Sequence, residues 1–405
     1  MLSTHYGRRL ATTCGVLGTT LLLSVCALTG CSSAPSLDTA TSANPSAAES
    51  DSAATMSVTD VAGRTVDIPA HPERILLAEG RGMFVTSMLN TDNPTEHIVG
   101  VGTDLHSAAP GFEEKLAAAA PEYNDLPQVG NIAKGDVSVE NLLSLNPDVV
   151  VMTLDHKKAA EESGFLTKMD QAGLTYVFTD FRQKPLVNTP KSMTLFGQLL
   201  GKEDKAQEFN DFYTHRVEDI SRRAAALENK PNTFVWRAAG LQDCCSTVKE
   251  SNLGDLVTAA GGTNMGDELL TTESGTVTAE KLLSVQPEHI IATGGAWAPK
   301  QDKPEQVPHV DLGYSAHQDT TTSTLLGLLN TPGLGSLTAP EHGNLHAVYH
   351  QFYDSPFNVF ALEQFAQWIH PEEFSDLHPV EDFAEFHKNW LPFDFSGVFF
   401  ASATS

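Results

Sequence analysis

Short apolar runs alternate along most of the chain with stretches whose apolar positions recur every three or four residues. The runs at residues 74–78, 98–101, 149–152, 176–178, 233–236, 290–292 and 347–349 are apolar at successive positions rather than at every second one. A strand buried on both faces has that pattern, and such strands belong to parallel sheets covered by helices. An earlier polar stretch around Thr59 to Val66, with Gly63 in its middle, reads as a hairpin. Between residues 189 and 229 the pattern changes. Phe209, Phe212, Tyr213, Val217, Ile220, Ala224 and Leu227 form one stripe at helical spacing. That stripe predicts a long helix, with Gly201 placed to break it in two.

A duplication organises these elements. Val137, Glu140, Leu142, Leu143, Ser144 and Pro147 recur identically as Val277, Glu280, Leu282, Leu283, Ser284 and Pro287. In each copy Ser138 or Thr278 is placed to cap a short helix, with a glutamate in its first turn. The leucine pair turns inward, the proline ends the helix, and an apolar strand follows. The same helix–proline–strand unit used twice predicts an α/β protein of two Rossmann-like lobes, joined by a long rigid helix, with the ligand cleft between them at the carboxyl ends of the strands. The expected organisation is residues 57–187 for the first lobe, 188–229 for the linking helix and 230–405 for the second lobe.

The start of the chain is an address. Arg8 and Arg9 precede an apolar stretch at residues 16–28, too short and too rich in Gly and Thr to span a membrane. It ends in Leu28-Thr29-Gly30-Cys31, which resembles the lipobox of bacterial lipoproteins. The resemblance implies that residues 1–30 are a signal peptide and that Cys31 carries a diacylglycerol. The plainer alternative is an ordinary signal peptide with an incidental cysteine. The arginine pair leaves both general and twin-arginine export open. Residues 31–56 are Ser, Ala, Thr and Asp with almost no large apolar residue, and are expected to be a disordered tether. The expected location is therefore the extracytoplasmic face of the cell membrane, held there through the lipid anchor only.

Charge and cysteines narrow the partners. Without the two arginines of the leader, 23 basic side chains face 51 acidic ones, a formal −28. Such a surface repels nucleic acid and anionic lipid. Beyond the leader and the anchor only the adjacent pair Cys244 and Cys245 remains, which is no disulfide framework; the two are either bonded to each other or both reduced.

Several segments together carry a family likeness. They are Asp60-Val61-Ala62-Gly63-Arg64, Pro72-Glu73-Arg74-Ile75, the two repeat copies, and Leu253-Gly254-Asp255-Leu256 followed by Ala260-Gly261-Gly262-Thr263-Asn264. In these the chain resembles the substrate-binding proteins of ABC importers whose lobes are joined by a rigid helix, the class that serves ferric siderophores, haem and vitamin B12. The run Trp368-Ile369-His370-Pro371-Glu372-Glu373-Phe374 looks most like the iron–siderophore branch. The resemblance implies that Glu140 and Glu280 dock on arginines of the permease, and that lobe closure is small.

Loops after strands supply the candidate ligand groups: Arg81, Arg182, Trp236, Arg237, Trp297, Tyr349, His350 and Tyr353. Three arginines with tryptophans and tyrosines suit a large anionic chelate, cations pairing with carboxylate or catecholate oxygens and rings stacking on the remainder. An anionic ferric siderophore is the expected ligand, with no resident cofactor or protein-bound metal. Haem is the alternative, with His156, Tyr314, His350 and Tyr353 as axial candidates. A zinc or manganese carrier needs convergent histidines; the evenly spaced His342, His346 and His350 offer weak support. His370, His378 and His387 lie among acidic residues and read as solvated surface. No nucleophile elbow, zinc-protease motif or phosphate loop appears, so the chain reads as a binder rather than an enzyme. A lipid-anchored hydrolase or oxidoreductase, or a purely structural surface protein, are the readings from other classes.

Overall fold

The computed structural model describes residues 54–241, 244–296 and 309–403. The leader, Cys31, most of the tether and Trp297 lie outside the described residues. Among the described residues thirteen strands build the sheets. They are β1 (Thr55–Thr59), β2 (Thr65–Pro69), β3 (Ile75–Leu77), β4 (Ile98–Val101), β5 (Val149–Thr153), β6 (Tyr176–Thr179), β7 (Asn232–Trp236), β8 (Ser246–Val248), β9 (Thr263–Asn264), β10 (Ser274–Thr276), β11 (His289–Gly294), β12 (Leu345–Tyr349) and β13 (Phe400–Ser402).

The first lobe holds an all-parallel sheet in the order β4-β3-β5-β6. The second holds β13-β12-β11-β7-β9, parallel except for β13 at its edge. Removing β13 leaves β9-β7-β11-β12, the same connectivity as the first lobe. The two repeat copies lead into β5 and β11, the corresponding interior strand of each sheet, so the duplication is structural. β3, β5 and β6 are buried along nearly their whole length, and so are β11 and β12, as continuous apolar runs require.

The copies match in detail. The Val139–Ser144 helix is capped by Ser138, whose Oγ accepts the Asn141 N–H at 3.1 Å; the Ala279–Val285 helix is capped by Thr278, which accepts the Lys281 N–H at 3.2 Å. Asn146 and Gln286 then both turn left-handed, with φ of 42° and 46°, immediately before the prolines. Asp148 accepts the backbone N–H groups of Glu73 and Arg74, and Glu288 accepts that of Asn232, so each repeat fastens itself to the start of the neighbouring strand.

β1 and β2 form the expected antiparallel hairpin. Its turn is locked to the first sheet by Asp60, buried, which accepts the Arg64 guanidinium at 2.7 Å and the Phe178 N–H at 3.1 Å. Arg64 lies over the rings of Tyr176 and Phe178. The Asp60-to-Arg64 motif therefore joins the hairpin to β6.

The connector breaks at Gly201, as the sequence predicts, and is two helices rather than one rod: Pro185–Leu200 and Glu203–Ala225, with Gly201 left-handed at φ 60° between them. They fold back on each other. A Cβ at Gly197 would stand 2.6 Å from that of Ala206, and Asn210 donates to the Pro190 carbonyl at 3.0 Å. The Phe209 and Tyr213 face of the stripe is covered by this hairpin and by the C-terminal helices. Tyr213 bonds Asn358 at 2.6 Å and Phe209 packs on Phe386 and Trp390. The lobes are also joined by aromatic contacts, Phe84 with Phe357 and Phe112 with Tyr314 and Phe393. Among the described residues no helix is long and apolar enough to cross a membrane.

Candidate functional site

The carboxyl ends of both sheets come together where the sequence places the cleft, and their loops touch directly. From the first lobe, β3 runs into the turn Gly80–Gly82, and a Cβ at Gly80 would stand 2.4 Å from the Gly102 carbonyl oxygen, so only glycine fits there. Asp104, after β4, accepts the Gly80 N–H at 2.6 Å and the Arg81 Nε at 2.9 Å, which aims Arg81 into the cleft. After β6, the buried Asp180 accepts the N–H groups of Arg182, Gln183 and Lys184 and the Asn188 amide. That knot turns the chain and presents Arg182.

The second lobe contributes the turn His350–Asp354, which follows β12. Arg81 Nη1 and Arg182 Nη2 both reach Asp354 Oδ2, each at 2.6 Å. The same two nitrogens donate to the Tyr353 hydroxyl at 2.7 and 2.9 Å. Arg182 also pairs with Asp155 and Arg81 with Glu79. His350 stacks on Tyr353 at 4.4 Å and bonds Thr293 Oγ1 through Nδ1 at 2.8 Å. The side chains of Arg81 and Arg182 are only 9% and 16% exposed, so these pairs are screened little by solvent.

Electrostatics follow from burial and pairing. Burial acts against the charge on Asp354, but Arg182 and then Arg81 outweigh it and hold its carboxyl below the usual range. Glu79 is pushed up by burial, against Arg81 and with Asp354 adding to the rise. His350 is held well below the usual histidine range by burial and then by Arg237, Arg81 and Arg182, and His156 is lowered by burial and Arg182. Both are neutral imidazoles at pH 7. The arginine groove is thus not a field of free cations. Two guanidiniums are matched by Asp104, Asp155 and Asp354, with Glu79 beside them.

The structure brings Arg81, Arg182, His350 and Tyr353 together. Arg237 is half-buried at the end of β7, close enough to depress His350. Trp236 is buried there, with no partner for its Nε1 among the described residues. Trp297 lies outside the described residues. Tyr349 is a correction. Its ring is enclosed by Tyr314, Phe352 and Phe399 in the second lobe's core, because β12 is buried on both faces. Tyr314 joins that core, bonded to His387 at 3.1 Å. His387 is itself fully buried and lowered to about 4 by burial, so it is no solvated surface residue. His346 and His350 do not share a site: His346 stacks on Trp368 and His289.

Asp104 and Asp354 escaped the sequence reading. Asp104 sits after β4, where the same strand-end argument points, and Asp354 directly follows Tyr353; both were hidden because acidic residues are abundant throughout this chain. Glu140 and Glu280 are exposed in the first turns of their helices, and neither has a side-chain partner among the described residues. Cys244 and Cys245 are bonded to each other, in the loop after β7.

Residues 100–347 match the family described as periplasmic binding protein. The high-affinity heme uptake system protein IsdE of Staphylococcus aureus (strain Newman) is 25% identical over 169 residues, 42% of this chain and 54% of that one. The chain thus spans about half the length of the curated relatives it matches. A TroA-like periplasmic binding protein, FepB from Veillonella parvula, superposes with a TM-score of 0.76 at 27% identity, covering 86% of this chain and 99% of that one. The molybdate-bound periplasmic protein MolA from Haemophilus influenzae shares the fold, with a TM-score of 0.64 at 15% identity over 84% of this chain and 99% of that one. With doubled parallel sheets whose carboxyl ends meet and a match over more than half its length, this chain belongs to the periplasmic binding protein family, whose members bind solutes rather than transform them.

Proposed function

We propose that the protein captures an iron chelate, a ferric siderophore bearing catecholate or carboxylate oxygens, and delivers it to the permease of an ABC importer. The observation that carries this reading is the convergence of Arg81 and Arg182 on one carboxylate oxygen and one phenol oxygen at the cleft. A pair of guanidiniums around two oxygens is the geometry that recognises such ligands. The rings of Tyr353 and Trp236 and the imidazole of His350 lie on the same strand ends, beside Arg237. Glu140 and Glu280, one on each lobe and without side-chain partners among the described residues, serve as the permease contacts. Cys31, lipidated, holds the protein at the outer face of the membrane.

Haem is the second reading, favoured by the printed name of the Staphylococcus relatives and by the presence of His350 and Tyr353 at the cleft. Native mass spectrometry of residues 54–405 against ferric catecholates, ferric carboxylates, ferric hydroxamates, haem and cobalamin separates the readings. Retention of a ferric catecholate or carboxylate is the expected result. Retention of haem alone would replace the first reading with the second, and retention of none would remove both.

A further inference from the structure

We propose that Asp354 and Tyr353 act as an internal substitute for ligand oxygens: a latch that fills the arginine site in the empty protein and that the ligand displaces. This rests on the reading of the cleft as the ligand site.

Each arginine already has a carboxylate on its own lobe, Asp104 for Arg81 and Asp155 for Arg182. Asp354 is not needed to neutralise either one. What it fills is the space between them. Two guanidiniums aimed at one point repel each other unless an anion stands there. The second lobe supplies one, with Asp354 Oδ2 at 2.6 Å from both arginines and the Tyr353 hydroxyl at 2.7 and 2.9 Å. A carboxylate oxygen beside a phenol oxygen is the donor set of a salicylate, and close to that of a catecholate or a hydroxycarboxylate. The protein thus presents to its own arginines the chemistry proposed for the ligand.

A second observation concerns the surroundings. Gln351 and Ser355, flanking the latch on the same segment, are 2% and 1% exposed, yet Gln351 Oε1 and Ser355 Oγ have no hydrogen-bond partner among the described residues. His156 Nδ1 and Arg182 Nε, on the opposing lobe, are also buried without one among them. Buried polar atoms left unmatched on both sides of a contact are uncommon in a settled interface. They mark a surface whose partners arrive with something else. Asp354 and Tyr353 are neighbours in one short turn, so rotation of these two side chains uncovers both arginine nitrogens while Phe352 stays packed on Phe383 and Phe400 and the contact between Phe84 and Phe357 holds the lobes in place. Ligand affinity is then a difference, the ligand's own contacts less those of the displaced latch. Chelates lacking paired anionic oxygens do not displace it.

The test uses the full chain, solubilised, as wild type, Asp354→Asn and Glu161→Gln. Hydrogen exchange of the amides at 345–357 is measured without ligand. Binding of ferric 2,3-dihydroxybenzoate is then followed by tryptophan fluorescence. Asp354→Asn is expected to speed exchange about tenfold and to tighten binding about tenfold, because the competitor has lost its charge. Glu161→Gln, whose carboxylate pairs with Lys157 on its own exposed helix and touches neither arginine, is expected to leave exchange within about twofold. Tyr353→Phe removes only the hydroxyl and is expected to move both readouts in the same direction by about threefold, which keeps the test open if Asp354→Asn folds poorly. Unchanged exchange in both Asp354→Asn and Tyr353→Phe, or weaker binding by folded Asp354→Asn, overturns the latch. Faster exchange with no binding by any form upholds the latch and overturns the ligand reading instead.

Discussion

Single residues decide where the cleft chemistry sits. Asp180 gathers three consecutive N–H groups and an amide, and so holds Arg182 in a turn that propensity alone does not specify. Gly80 does the same for Arg81 by having no side chain. Its φ is ordinary, so the constraint is space: a Cβ would meet backbone oxygen 2.4 Å away, which no rotamer change relieves. Gly80→Ala is expected to cost about 2–3 kcal/mol by forcing the turn away from β4. Urea denaturation measures that cost. Because the shift moves Arg81 off Asp104, chelate binding is expected to fall in the variant even at temperatures where it stays folded.

At the scale of elements, the connector shows how one glycine redirects a helix. Gly201 has φ 60° and open space around it, so a side chain there meets only conformational cost. Gly201→Ala is expected to lower stability by about 1 kcal/mol with no change in ligand binding, seen as a shifted denaturation midpoint at unchanged affinity. A variant that is neutral or stabilised would mean that the two helices do not need the break. The repeat helices carry a prediction of another kind. Ser138 and Thr278 satisfy their N-termini, which leaves the glutamates of the first turns free. Glu140→Ala with Glu280→Ala is expected to leave stability within about 0.5 kcal/mol and chelate binding unchanged. Uptake by cells carrying the double variant is expected to fall at least about tenfold, as the loss of two charged contacts predicts. Normal uptake would show that these helices do not meet the permease.

The whole molecule has a pH signature set by its buried histidines. His346 is lowered to about 3 and His387 to about 4, while His156, His289 and His350 are lowered as well, in each case chiefly by burial. A histidine with a depressed folded value binds fewer protons in the native state than in the unfolded one. Its contribution is present above pH 6.5 and is lost as the pH falls toward the folded value. His387 alone accounts for roughly 3 kcal/mol between pH 6.5 and 4. Glu363, fully buried and pushed up to about 7 by burial, acts in the opposite sense and gains as the pH falls from 7 toward 4.5. Five histidines against three raised carboxyls, Glu79, Asp255 and Glu363, predict that the denaturant midpoint declines from pH 6.5 to pH 4. A flat profile in guanidinium titrations over that range would contradict the neutral histidines.

Local chemistry in the chain was enough to establish the duplication, all four strands of the first sheet and β7, β11 and β12 of the second but not β9 or β13, the capped helices and their exposed glutamates, and the strand-end loops that carry Arg81, Arg182, His350 and Tyr353. Those features depend on neighbours three or four positions away and on continuous apolar runs, which can be read along a line. Tertiary structure alone decided the rest. It turned the connector into a hairpin, because the Phe209–Tyr213 stripe found a preceding helix and the C-terminal helices to cover it. It drew Tyr349, Tyr314 and His387 into one aromatic core, although each is as polar in sequence as a surface residue. It also chose Asp104 and Asp354 from 51 acidic side chains as partners of the arginines. Charge pairing acts through space, here between segments as near as 23 residues and as far as 172 or more residues apart in the chain, and composition does not encode which carboxylate arrives.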